Sequence, residues 1–269
     1  MRIPSLISPP PPIWRESRLA FEIARLVRDP VYRGEGVEDA GGQPVLLIPG
    51  FLAGDDSLGV MTKWLRRTGH HTRKAGIRAN VGCSETTIER LVDRVELLAE
   101  VHEQKVAIIG QSRGGCIARV LAVRRPDLVS GIVALGSPIV EPFAIHPVVR
   151  LQVIAVGALG TLGAPGMFGN SCRNGECCER FWEDLAGDFP KGVGFLSLYS
   201  KSDGVVNWRA CLDPAATNVE IEASHVGMAV NVHAYQAIAR ALEAYHSSAA
   251  ARRGSDRRAG APDTLRRAA

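Results

Sequence analysis

The segment from Lys105 to Gly115 holds the residues with the clearest chemical potential. Within it, Gly110-Gln111-Ser112-Arg113-Gly114 is a G-x-S-x-G sequence that follows an apolar run and precedes a helical pattern beginning near Cys116. A serine at such a strand-to-helix turn lifts its hydroxyl clear of the sheet, and the amides of the next helix turn their partial positive charge toward it. That arrangement suits attack on a carbonyl, where the charge developing on oxygen needs N–H donors already in place. The amide of Arg113 is one candidate donor. The loop Pro49-Gly50-Phe51-Leu52-Ala53-Gly54, after an earlier apolar run, offers the other, with Phe51 the first choice and Leu52 the second.

A serine hydroxyl needs a base, and the base needs a partner to orient it. Of seven histidines, His225 lies in Glu222-Ala-Ser-His-Val-Gly-Met228, between a short strand and the last helical pattern, where a loop can present an imidazole at the carboxyl edge of a sheet. His70 and His71 precede an expected strand, at the opposite edge. His102 and His246 fall near helix ends, His146 in an insertion and His233 in the last helix. For the carboxylate, Asp203 leaves the end of an apolar strand in Tyr199-Ser-Lys-Ser-Asp-Gly-Val-Val206, and Asp213, Glu222 and Glu141 are alternatives farther from the ideal position.

These residues require elements to position them. Pro44–Ile48, Lys105–Ile109, Leu128–Leu135, Phe195–Tyr199 and Val219–Ile221 read as strands. Leu58–Thr68, Thr86–Val101, Cys116–Val123 and a segment capped by Asn231 read as helices, the second with Thr86 and Glu89 in capping-box register. Strand–helix alternation with short, wholly apolar strands predicts an α/β fold with a mostly parallel central sheet flanked by helices. Residues 141–190 interrupt the alternation. There Leu151–Phe168 carries no charge and has Gly157, Gly160, Gly163 and Gly166 at every third position. An apolar cap or lid inserted between two strands fits this better than a membrane span, because Pro165 and the glycines break a long helix.

The chain has 269 residues, 46% of them apolar and 22% charged, which excludes a disordered or collagen-like protein. Its net charge of +4 is accounted for by residues 247–269, with six Arg against two Asp, so the expected catalytic body at 43–246 has no charge excess to attract nucleic acid. The tail reads as disordered and basic. Residues 1–42 read as a leader with an amphipathic helix, Leu19, Phe21, Ile23, Ala24 and Val27 forming its apolar side. Met1–Pro12 has one basic residue, four consecutive prolines and no apolar core of the signal-peptide kind, so a cytoplasmic protein with reduced thiols is expected. Among the six cysteines, Cys172-x4-Cys177-Cys178 lacks paired C-x2-C spacing and a nearby histidine, and no metal or cofactor is expected.

Taken together, Pro49-Gly50-Phe51, Gly110-Gln-Ser-Arg-Gly114, Ser202-Asp-Gly-Val-Val206 and Ser224-His-Val-Gly227 resemble the α/β-hydrolase superfamily, especially its bacterial lipase- and esterase-like members. The order Ser112, Asp203, His225 is that superfamily's order. The resemblance spans roughly residues 43–246. Many lipases have His before the oxyanion-loop glycine, where this chain has Pro49, and no acidic cluster matches the calcium site of some relatives. The resemblance implies a serine hydrolase that cleaves carboxylic esters through Ser112, His225 and Asp203, with the amides of Phe51 and Arg113 as oxyanion hole. The apolar insertion and Phe51 suggest a hydrophobic acyl group and hence a small-molecule ester or lipid-like partner, with peripheral membrane contact open and no integral span. Acyl transfer to an alcohol, or thioester cleavage, uses the same residues. A non-catalytic lipid-binding protein on this scaffold is the alternative of another class.

Overall fold

The structure, a computed structural model, describes residues 12–175 and 177–259. After a 3-10 turn at Ile13–Arg18, helices α1 (Leu19–Arg28) and α2 (Pro30–Arg33) precede strand β1 (Pro44–Ile48). There follow α3 (Gly59–Arg67), β2 (His71–Lys74), α4 (Ser84–His102), β3 (Val106–Gln111), α5 (Arg113–Arg124) and β4 (Val129–Leu135). Helices α6 (Pro147–Thr161), α7 (Asn170–Asn174) and α8 (Glu179–Ala186) lie between β4 and β5 (Gly194–Tyr199), and β6 (Thr217–Glu220) and α9 (Val232–Ala259) complete the chain. The six strands form one parallel sheet in the order β2-β1-β3-β4-β5-β6.

Side-chain alternation explains why β1 and β3 are apolar at nearly every position. Leu46, Ile48, Val106 and Ile108 face a core built with α4, α5 and α8. Val45, Leu47, Ala107 and Ile109 face a second core built with α1, α3 and α9. A parallel strand covered on both faces has no polar side to show. The edges differ: β2 and β6 are mostly exposed, with sequences HTRK and TNVE.

Several boundaries depart from the sequence expectations. Helix α4 begins at Ser84, with Cys83 as its N-cap residue, so the capping box at Thr86 and Glu89 does not form, and Thr87 Oγ1 instead donates to Cys83 O at 2.7 Å. Helix α5 starts directly after Ser112 rather than at Cys116. Strand β6 occupies 217–220 rather than 219–221. Helix α9 runs on to Ala259, so residues 247–259, expected to be without structure, continue it, while 260–269 lie outside the described residues, as do 1–11 of the leader. Asn231 caps α9, its Oδ1 accepting from the amides of His233 and Ala234. Among the described residues no helix is long and apolar enough to cross a membrane.

A buried ion pair ties the connection between β5 and β6 to helix α5. Arg119 of α5 donates through Nε to Asp213 Oδ2 at 2.8 Å, and through its other nitrogens to the carbonyls of Asp184 and Gly187. Both side chains are almost fully buried, at 6% and 3% exposure, so each needs the other to stay charged there. Asp213 is therefore committed to a structural role. Replacing Arg119 by Met is expected to lower the unfolding free energy by about 3–5 kcal/mol, read from urea denaturation, because the Asp213 carboxylate is left buried without its counter-charge.

Candidate active site

The site begins at the end of β3, where the chain must turn sharply into α5. Ser112 sits at the turn with φ 52° and ψ −121°, a region that L-residues rarely adopt. Its amide donates to Leu135 O at the end of β4, and its carbonyl accepts from Gly115. The turn is possible only because neighbouring positions lack side chains. A Cβ on Gly110 would strike the carbonyl of Gly114, and one on Gly114 would strike that of Ile48. Gly50 approaches from the other side. A Cβ at that position would lie 3.3 Å from Ser112 Cβ, which puts the loop after β1 directly against the serine.

That loop carries Phe51 and Leu52. Leu52 holds a left-handed φ of 62°. Asn80 fastens the loop from outside: its Nδ2 donates to Pro49 O at 2.7 Å and its amide donates to Ala53 O. Asn80 O in turn accepts from Arg113 Nη1 at 2.8 Å, so the side chain of Arg113 braces the loop opposite its own amide. Phe51, Ser112 and Arg113 line one cavity of about 120 Å³, whose other walls include Phe143, Val153, Phe168, Phe181 and Trp182. The lining is mostly apolar and includes residues of α6–α8 and their connections.

Asp203 and His225 meet beyond the ends of β5 and β6. His225 Nδ1 lies 2.7 Å from Asp203 Oδ2, and both side chains are buried. Asp203 Oδ1 accepts from the amides of Val205 and Val206 at 2.7 and 2.8 Å, which fixes the carboxylate. Gly136, at φ 54°, leaves the space that the imidazole fills, since a Cβ there would lie 3.1 Å from Nδ1. Gln111, the residue before the serine, donates from Nε2 to His225 O at 3.2 Å and links the two halves of the site. Burial alone would push the imidazole pKa down, but the Asp203 charge and hydrogen bond, with a contribution from Glu16, outweigh it and hold the pKa above its ordinary value.

Sequence reasoning did not identify the residues that hold the His225 loop. Glu16, before α1, accepts from the amides of Gly204, His225 and Val226 at 3.0, 2.9 and 3.1 Å. Glu22 of α1 accepts from the amide and hydroxyl of Ser224 at 2.8 and 2.5 Å. The face of α1 that points inward thus carries Glu22 and Leu26, while Phe21 of the expected apolar side is 67% exposed. The one sequence signal for these contacts is Gly227, where any side chain would overlap the Glu22 carboxylate. The remaining histidines lie outside this arrangement: His71 and His102 stack on each other, and His70 bonds to Thr68 and Leu65. The described side chains that could ligate a metal as a group are Cys83, Cys172, Cys177 and Cys178, not the Asp203–His225 pair.

A parallel sheet with a serine on the turn after its third strand, and a carboxylate–imidazole pair beyond later strands, defines the α/β-hydrolase fold. The family model described as alpha/beta hydrolase fold matches residues 43–156. A triacylglycerol lipase of Vibrio cholerae serotype O1 is 34% identical over 130 residues, which are 46% of this chain and 41% of that protein. The chain therefore spans about two fifths of that relative's length. Among solved structures, a Bacillus licheniformis lipase in mature form superposes with TM-score 0.56 at 14% identity, over 77% of this chain and 94% of that one. A monoglyceride lipase of Saccharomyces cerevisiae gives TM-score 0.56 at 14% identity, over 79% and 89%. The chain is thus an α/β-hydrolase-fold protein whose likeness is to lipases and esterases.

The buried pair yields a directional test. Replacing Glu16 by Gln removes one of the charges that favour the imidazolium, so the His225 pKa is expected to fall. NMR titration of the imidazole in both proteins reads the shift, and an unchanged or higher pKa contradicts it.

Proposed function

We propose that this protein hydrolyses carboxylic esters with a hydrophobic acyl group, with Ser112 as nucleophile, His225 as general base and Asp203 as the carboxylate that orients it. The observation that carries the reading is the buried Asp203–His225 contact at 2.7 Å together with a serine in left-handed conformation on the G-x-S-x-G turn. In the proposed sequence His225 Nε2 takes the Ser112 proton as Oγ attacks the ester carbonyl. The amides of Arg113 and Phe51 then receive the oxyanion, and His225 returns its proton to the departing alkoxide. Water, deprotonated by the same imidazole, attacks the acyl carbonyl. The acyl–Oγ bond then breaks, His225 returns the proton to Ser112 Oγ, and the acid leaves. Asp203 stabilises the imidazolium in both halves and remains ionised.

Two features support a hydrophobic acyl group. The cavity that Ser112 lines is walled by aromatic and aliphatic side chains. Helix α6 also turns Val148, Leu151 and Leu159 outward at helical spacing, and Leu162, just past its end, is 84% exposed. An apolar face of that kind beside the pocket suits contact with a lipid–water interface and gives lipid-like esters access to the site. The triacylglycerol and monoglyceride substrates in the names of the similar proteins are of the same class. We place the reaction in the cytoplasm, where thiols stay reduced.

The test is a fluorophosphonate probe followed by a graded series of esters. Wild-type protein is expected to be labelled once, at Ser112, and Ser112→Ala not at all. Asp203→Asn, which fixes the wrong imidazole tautomer, is expected to lower kcat by roughly 10⁴-fold with little change in fold. Turnover should rise with acyl length from acetyl toward medium chains. Absence of labelling in folded protein, or hydrolysis that survives in Ser112→Ala, overturns the reading.

A further inference from the structure

Four cysteines converge on a second place in the fold. Cys83 precedes α4, Cys172 lies in α7, and Cys177 and Cys178 form the turn before α8. Their sulfur atoms all lie within 4.8 Å of one another. Cys83 and Cys178 are 3.5 Å apart, Cys172 and Cys177 3.0 Å, and Cys177 and Cys178 3.8 Å. Four thiolates about 2.3 Å from one ion form a tetrahedron with edges of about 3.8 Å, so these sulfurs stand within about an ångström of that geometry. The spacing of Cys172, Cys177 and Cys178 argued against a metal because the fourth ligand, Cys83, comes from a distant part of the sequence.

Burial disfavours anionic sulfur at Cys172 and Cys178, and neighbouring groups offset part of that cost. Cys83 is the N-cap residue of α4, where the helix's first amides favour negative charge. The Arg113 guanidinium, bonded to Gly82 O and Ser84 Oγ on either side of Cys83, acts electrostatically on Cys83, Cys172 and Cys178. A helix N-terminus and a nearby cation are outer contacts that favour a thiolate site.

We propose that Cys83, Cys172, Cys177 and Cys178 bind one Zn²⁺ ion in a closed tetrahedral site. Binding displaces four thiol protons: four R–SH and Zn²⁺ give [Zn(SR)₄]²⁻ and four H⁺, with no change of oxidation state, and Arg113 offsets part of the residual charge. With all four positions filled by sulfur, the ion has no place for substrate, so its role is structural. It joins the start of α4 to α7 and the turn before α8. Cys172 also lines the cavity shared with Ser112, so the ion fixes one wall of that pocket.

The full chain, purified with reductant, equilibrated with excess Zn²⁺ and dialysed, is expected to retain about one ion per chain by elemental analysis. Loading with Co²⁺ instead should give the thiolate-to-cobalt charge-transfer bands and intense visible absorption of a tetrahedral S₄ site. Cys177 is exposed, so Cys177→Ser should keep the fold by circular dichroism while weakening zinc binding by at least about tenfold in competition with a chelator. Cys83→Ser should do the same. Reduced, folded wild type that retains no zinc overturns the proposal. So does undiminished affinity in both variants. Reduced protein that binds no metal but, on oxidation, loses four hydrogens in mass and links Cys172 to Cys177 and Cys83 to Cys178 identifies a disulfide pair instead. None of these readouts depends on ester turnover, so failure here leaves the hydrolase reading intact.

Discussion

The close approach of three backbone segments around Ser112 is the constraint on which the site depends. The loop after β1, the end of β3 and the first turn of α5 pass so near one another that positions 110 and 114 admit no side chain and even a Cβ at position 50 would be tight. In return the serine is held in a conformation that costs on the order of 1–3 kcal/mol, with its amide anchored to Leu135 at the end of β4. The strain is supported by both cores: β1 and β3 are buried on each face and cannot shift to relieve it. The turn therefore presents one hydroxyl and one amide at fixed positions beside a preformed loop, which is what electrostatic stabilisation of a developing charge requires.

A second theme is negative charge used as scaffolding. Asp203, Glu16 and Glu22 all accept backbone amides, and together they hold the loops that carry Asp203 and His225. Carboxylates in such positions organise the backbone without a rigid helix or strand passing through the site. They also shape its electrostatics, since Glu16 and Asp203 both favour the protonated imidazole that burial disfavours. The segment before β1 is in this sense part of the site, although it supplies no group expected to touch a substrate.

Arg113 connects the site to the cysteine cluster. Its amide stands beside the serine, its guanidinium bonds to Asn80, Gly82 and Ser84, and its charge acts on three of the four clustered thiols. The residue after the serine in G-x-S-x-G thus links the loop after β1 to the start of α4. On the opposite flank Arg119, further along α5, pins the segment that returns to β5. Two arginines of one helix secure both the loop beside the pocket and the segment around Leu185 that lines it.

The sequence by itself determined the sheet and the candidate residues at its carboxyl edge. Apolar runs at 44–48, 106–109 and 128–135 read as strands buried on both faces, and the glycines around Ser112 as a tight turn, because these are local preferences of backbone and periodicity. Asp203 and His225 were legible as partners from their places after late strands, and the structure puts them 2.7 Å apart. The start of α4 was misread because a capping box is only a local preference, which Cys83 and the packing around it override. Glu16, Glu22, Asn80 and the meeting of Cys83 with Cys172, Cys177 and Cys178 were beyond reach. A carboxylate or thiol in sequence carries no record of which distant amide or sulfur it will face, and only the tertiary fold, by bringing separate segments within hydrogen-bonding distance, decides that.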